Sequence, residues 1–338
     1  MKHLFCIASH LTFNVAKKII VSDNISPTDC YFLLLRGYRM PSEYEHVFPH
    51  QLATTYNIDS RHGRIFEGWK IWATLNNMRA FDRQIDKFTA HNDFIFYTSV
   101  CYNDICSMIV TNKLCKAYNI IEDGLVSYEK KNPETFTGWK RIVYKCFLLP
   151  CFPRIFALKN HFITTDHPKF HECIATSQLC FPMHQQHLRV IGFAFEEKEY
   201  DYRPDAVISV DPLFNSGVTL DKVEEAYTVL AGYLSTKNYQ NIAVKFHPRF
   251  NAPANKAQKS AYLDILNRHI NNLYELPQDV VLESLLAWCK ADFYSCDSSV
   301  ALYAQQTGVK CYSMMPLLED TPAYHPTEIM NKISEPIS

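Results

Sequence analysis

Three short stretches of this 338-residue chain carry side chains able to move protons and hold anions. Glu122-Asp123-Gly124 closes the apolar run 118–122 (YNIIE), so two adjacent carboxylates leave what reads as a buried strand. The glycine permits a tight turn. An acid so placed suits general-base work, and a turn or helix-capping acid is the plainer alternative. Lys245-Phe246-His247-Pro248-Arg249 ends the run 242–246 (IAVKF). Strand alternation sends Lys245, His247 and Arg249 roughly the same way, with Pro248 interrupting before the last. These groups make an anion site without a glycine loop, and histidine donates a proton to a phosphate oxygen near neutral pH. Cys296-Asp297-Ser298-Ser299-Val300 precedes the helical stretch 301–306. Serines there cap a helix, and they also offer hydroxyls and free N–H groups to a phosphate. Glu283 heads an apolar helix in LPQDVVLESLLAW, either as an N-terminal helix carboxylate or as a ligand for sugar hydroxyls.

The composition narrows the chemistry. Lys+Arg is 34 against Asp+Glu 35, a net charge of −1, which argues against a duplex-binding protein and leaves no nucleic-acid partner expected. Nine glycines leave little room for a glycine-rich phosphate loop, and neither GxGxxG nor GxxxxGK[ST] occurs. The 12 cysteines form no CxxC pair and read as buried thiols in a reducing compartment. His167, His171, Cys173, Cys180, His184 and His187 are zinc-capable types, but their spacing fits no structural-zinc pattern, so no metal site is expected. The first 15 residues, MKHLFCIASHLTFNV, lack the pattern of a signal peptide, and no run reaches a membrane span. The expected compartment is the cytoplasm.

The elements that must position these residues alternate in type. Apolar strand-like runs fall at 4–9, 30–35, 93–100 and 118–122, with helical periodicity over 12–21, 75–88 and 104–118. The second half repeats the grammar: strands at 206–210, 242–246, 292–295 and 309–313, and helices at 220–234, 261–270 and 299–306. Strands alternating with helices predict parallel α/β sheets covered on both faces. The expectation is two Rossmann-like domains facing a cleft, 1–180 and 181–338, joined where prolines, histidines and charges interrupt the pattern. All three motifs then stand at the carboxyl ends of strands, where open α/β sheets bind ligands.

In the order of these motifs the chain resembles the bacterial sialyltransferases of the GT-B type, including polysialyltransferases and lipooligosaccharide sialyltransferases. Those families share a [DE][DE]G motif, an HP motif and a serine-rich motif, here Glu122-Asp123-Gly124, His247-Pro248 and Ser298-Ser299. The resemblance covers residues 118 to 306, and its motifs are short. It implies that Asp123 is the general base for the acceptor hydroxyl and that Gly124 belongs to the same motif. It implies that His247 binds or protonates the departing phosphate of CMP, and that Ser298 and Ser299 bind that phosphate. Lys245 corresponds to a cytidine-side contact, Glu283 to an acid holding the ribose hydroxyls, and Arg249 to an HPR variant.

The implied reaction is an inverting, metal-independent transfer of sialic acid from CMP-sialic acid to a glycan hydroxyl, with no cofactor. The N-terminal domain takes the acceptor side and the C-terminal domain the donor. Charge builds on the leaving phosphate, so preorganised donors there lower the barrier, while a base takes the acceptor proton. CDP-glycerol glycerophosphotransferases share the HP and serine-rich motifs, and a CMP-Kdo transferase would use the same phosphate clamp. A non-catalytic glycan-binding module on the same fold needs no base. The stretch 138–162 interleaves aromatic and basic residues. It reads either as an interfacial segment on an anionic membrane, serving a lipid-linked acceptor, or as a domain-edge helix with snorkelling lysines.

Overall fold

In the computed structural model, the structure describes residues 1–35, 38–53, 69–99, 104–129, 165–196, 198–247, 250, 255–296, 298–318 and 330–337. The chain divides into two compact units, Met1–Ala194 and Phe195–Ser338. Two strands beyond the Glu-Asp-Gly motif, β6 (Phe170–Ala175) and β7 (Leu188–Val190), complete the first sheet, and the division falls later than the expected 180/181 because β7 lies beyond that point.

The first unit is built on β1 (Lys2–Ile7), β2 (Cys30–Leu34), β3 (His50–Ala53), β4 (Phe94–Thr98), β5 (Cys115–Ile121), β6 and β7. All pair in parallel, in the order β3-β2-β1-β4-β5-β6-β7. The central strands are near-continuous apolar runs because both faces are buried, and Leu4, Phe5, Cys6, Phe32, Leu33, Phe94 and Phe96 are fully enclosed. Helix α1 (His10–Ser22) starts at a reciprocal cap. The Ser9 hydroxyl accepts from the Thr12 N–H at 3.2 Å, and the Thr12 hydroxyl accepts from the Ser9 N–H at 3.0 Å. Helices α2 (Ser42–Glu45), α3 (Trp69–Phe88) and α4 (Asp104–Thr111) follow. The helix expected to run to 118 stops at Thr111. Asn112 turns the chain by accepting from the Leu114 N–H at 2.9 Å, and β5 begins three residues on from Asn112, at Cys115.

The second unit repeats the plan with β8 (Ala206–Val210), β9 (Ile242–Phe246), β10 (Leu273–Glu275), β11 (Asp292–Ser295), β12 (Cys311–Ser313) and β13 (Glu335–Pro336). Their order is β10-β9-β8-β11-β12-β13, again all parallel. Helices α5 (Leu220–Ser235), α6 (Lys256–His269), α7 (Leu282–Cys289), α8 (Ser299–Gln306) and α9 (Met330–Ile333) complete it. Val223, Ala226, Tyr227, Leu230 and Leu234 form the buried stripe by which α5 joins the core.

Each sheet therefore has the doubly wound order, in which the chain builds outward from a first strand, then crosses back to its other side. The switch falls between β1 and β4 in the first unit and between β8 and β11 in the second, and the crevice at the carboxyl ends of such strands is where this topology binds ligands.

Candidate functional site

In the first unit the two adjacent acids part company. Glu122 continues the ladder of β5, its N–H donating to the Ile174 carbonyl at 3.1 Å, and its side chain is fully buried. Its carboxylate accepts from the Tyr128 hydroxyl at 2.6 Å, from the Thr176 N–H at 2.7 Å and from the Thr176 hydroxyl at 2.8 Å. Asp123 is half-buried at the mouth of the strand, with φ −131° and ψ 52°. Its N–H donates to the Ser127 hydroxyl at 2.8 Å. Gly124 then takes φ +67°, a left-handed conformation that explains the glycine. Asp123 also lies near the end of β1. The Cys6 thiol is pushed well up by its contact with Cys106, next by burial, and further by the Asp123 charge. Of the two acids, Asp123 is the more exposed.

In the second unit, His247 is the first residue beyond β9 and its side chain is exposed. Its N–H donates to the carbonyl of Val210, the last residue of β8, at 3.0 Å. Ser298 caps α8 with extended φ −114° and ψ 130°, its hydroxyl accepting from the Val300 N–H at 3.3 Å. Ser299 is the first helical residue, and both serines are half-buried. Strands β9 and β11 flank β8 on either side. The histidine and the serines thus leave two strands whose axes lie roughly 10 Å apart at the same sheet edge. An imidazole on one side and a helix N-terminus with hydroxyls on the other can hold a phosphate between them. Pro248, Arg249 and Asp297 lie outside the described residues.

Lys245 behaves differently from the histidine two residues on. It is buried, and its ammonium donates to the carbonyl of Pro277 in the loop after β10. Burial pushes it down to about 8, against the pull of Asp279, Glu275 and Glu283. Glu283 stands in the first turn of α7, and burial pushes its carboxyl up to about 7, opposed by its own N–H and by Lys245. Lys245 and Glu283 thus lie near enough to feel each other's charge, although the Lys245 ammonium is bonded to the Pro277 carbonyl. Asp211, the first residue beyond β8, also lies half-buried at the switch point. The sequence reading passed over it, although an acid directly after the run AVISV was the available signal.

The histidines and cysteines of 167–187 scatter into ordinary roles. Cys173 is enclosed in the first core, and the Cys180 thiol donates to the Ser127 carbonyl at 3.7 Å. His184 Nδ1 pairs with the Thr165 hydroxyl at 3.3 Å, and His167 Nδ1 accepts from the Lys169 N–H at 3.2 Å. Among the described residues, no three His, Cys, Asp or Glu side chains gather as a metal-holding group, and nine cysteines are buried free thiols. No described helix is long and apolar enough to cross a membrane, and 138–162 lies outside the described residues.

No family model and no curated protein matches the sequence. Solved structures do match the fold. A calicheamicin glycosyltransferase, CalG4, aligns over 99% of this chain and 85% of its own, with TM-score 0.51 and 9% identity. A Listeria monocytogenes protein assigned as a UDP-N-acetylglucosamine 2-epimerase aligns over 95% and 79%, with TM-score 0.55 and 10% identity. The Methanocaldococcus jannaschii UDP-GlcNAc 2-epimerase, in complex with UDP-GlcNAc and UDP, aligns over 96% and 88%, with TM-score 0.52 and 12% identity. The chain shares with them the GT-B class of two Rossmann-like units, as its element order predicts. At these identities the likeness extends to the fold and no further.

Proposed function

We propose that the protein is a nucleotide-sugar glycosyltransferase that moves sialic acid from CMP-sialic acid to a glycan hydroxyl, with inversion and without a metal. The observation that carries the reading is the placement of His247 and Ser298-Ser299 after the two strands flanking β8, at the ligand-binding edge of a doubly wound sheet. In this reading they hold the leaving phosphate of CMP, and the charge that gathers there in the transition state is met by donors already in position. Asp123 takes the proton of the acceptor hydroxyl. Glu283 faces the nucleotide's ribose, and Lys245, held on the Pro277 carbonyl, acts on the cytidine side by fixing the loop that leads to Glu283. The motif order Glu-Asp-Gly, His-Pro, Ser-Ser favours a CMP donor.

A second reading is a UDP-sugar enzyme, favoured by one specific observation: a structure of similar fold carries UDP-GlcNAc and UDP. The same phosphate clamp serves either nucleotide. The deciding experiment incubates the purified chain with CMP-sialic acid, CMP-Kdo, CDP-glycerol, UDP-glucose and UDP-GlcNAc, with and without a galactose-terminated acceptor, and measures nucleotide release. Acceptor-dependent CMP release from CMP-sialic acid, surviving excess EDTA, supports the first reading. UDP release, or activity lost to chelation and restored by a divalent ion, overturns it.

A further inference from the structure

Glu122 is the acid of its motif that the proposed chemistry leaves idle, and it is the more firmly held. Three segments meet on its carboxylate: the end of β5, Tyr128 at the close of the 3-10 turn Gly124–Tyr128, and Thr176 just beyond β6. All three hydrogen bonds are donated to it, so both carboxylate oxygens are engaged, as a buried acid requires. Asp123 sits at the start of the loop thus closed, its N–H on the Ser127 hydroxyl. The carbonyl of Ser127 in turn accepts from the Phe181 N–H at 2.8 Å. Phe181 has φ +49°, a left-handed conformation that a bulky residue adopts only where its neighbours hold it there. Val126, at the middle of the turn, is 59% exposed, while Tyr128 at its close is buried.

We propose that Glu122 is a positioning residue, which fastens Tyr128 to Thr176 and thereby fixes the turn from which Asp123 reaches its proton. The proposal rests on the reading of Asp123 as the base. Glutamine matches the shape of Glu122 but turns one acceptor end into a donor, which must then face either the Tyr128 hydroxyl or the two donors of Thr176. A base displaced by about an ångström loses on the order of 100-fold in rate.

The test compares Glu122→Gln, Tyr128→Phe and Asp123→Asn in the full chain, with CMP-sialic acid and a galactose-terminated acceptor. It also measures amide hydrogen exchange over 123–128. Glu122→Gln is expected to lower kcat by ~10–100-fold while KM for the donor stays within about twofold. Amide exchange over 123–128 should rise at least ~10-fold, with exchange in the second unit unaltered. Tyr128→Phe removes one hydrogen bond and should move both readouts the same way by a few-fold, so it decides the matter if Glu122→Gln does not fold. Unchanged exchange over 123–128 overturns the clamp without any assay of activity. So does a near-normal kcat for Glu122→Gln or, where that chain does not fold, Tyr128→Phe, beside an inactive Asp123→Asn. An active Asp123→Asn overturns instead the base reading on which the proposal stands.

Discussion

The Lys245 ammonium donates to the Pro277 carbonyl and so ties β9 to the loop that leads into α7, where Glu283 stands. The shifts of Lys245 and Glu283 make stability depend on pH. The Glu283 carboxyl rises from 4.5 to about 7, so the folded chain keeps a proton that the unfolded chain releases. That contribution, about 3 kcal/mol by linkage, is fully present below pH 4.5 and lost as pH rises through 7. Lys245 is lowered from 10.5 to about 8, so the unfolded chain binds more protons between those values and stability returns as pH rises through them. Urea midpoints of the wild type and Glu283→Gln should therefore diverge between pH 4.5 and 7, with the wild type losing ground. Parallel curves would count against the raised Glu283 carboxyl.

Asp123→Asn should abolish transfer and leave the fold and CMP binding intact. An amide matches the carboxylate in size, and it cannot take a proton. Loss of a general base costs ~100-fold or more, so a variant retaining above about a tenth of wild-type turnover removes Asp123 from the base role.

His247→Ala should separate chemistry from binding. Donors at the leaving phosphate matter most when charge gathers there, so turnover is expected to fall ~100–1000-fold. CMP affinity, measured by calorimetry, should fall less, because Ser298 and Ser299 remain. Turnover near wild type with unchanged CMP binding would take the histidine away from the phosphate.

Ser298 has two duties that substitution can pull apart. Ser298→Ala removes the acceptor for the Val300 N–H and should cost ~1 kcal/mol of stability. Ser298→Asp restores a good cap, so stability should return, yet its charge opposes a phosphate and CMP binding should drop by about 10-fold. Melting curves and CMP titrations on both variants give the answer. Wild-type CMP affinity in Ser298→Asp would leave Ser298 as a cap alone.

The parts of the fold legible in the sequence are those where burial writes an uninterrupted apolar run. The strands Ala206–Val210 and Ile242–Phe246 are buried along their whole length and were read to the residue. The short edge strands β3, β7, β10 and β13 were missed, because one side of each meets no neighbour and its residues are half-exposed or exposed. At the site, the strand-end positions of Asp123, His247 and Ser298 followed from local pattern. The different fates of Glu122 and Asp123 did not, since the group that captures Glu122 is Thr176, 54 residues away. Lys245 was misjudged as an open strand-end cation for a similar reason: its partner Pro277 lies on another loop.

The doubly wound order also dictates when each sheet can close as the chain is made. Strand β1 pairs with β2 early, but its other edge waits for β4, where Lys2 meets Phe94. In the second unit Ala206 of β8 waits in the same way for Asp292 of β11. Each wait spans about 90 residues, a separation that makes folding slow and leaves an apolar strand edge open meanwhile. A nascent chain stalled before residue 94 therefore presents the bare edge of the largely apolar strand β1 to whatever else is in the cell, so a pause in translation there is a hazard for aggregation.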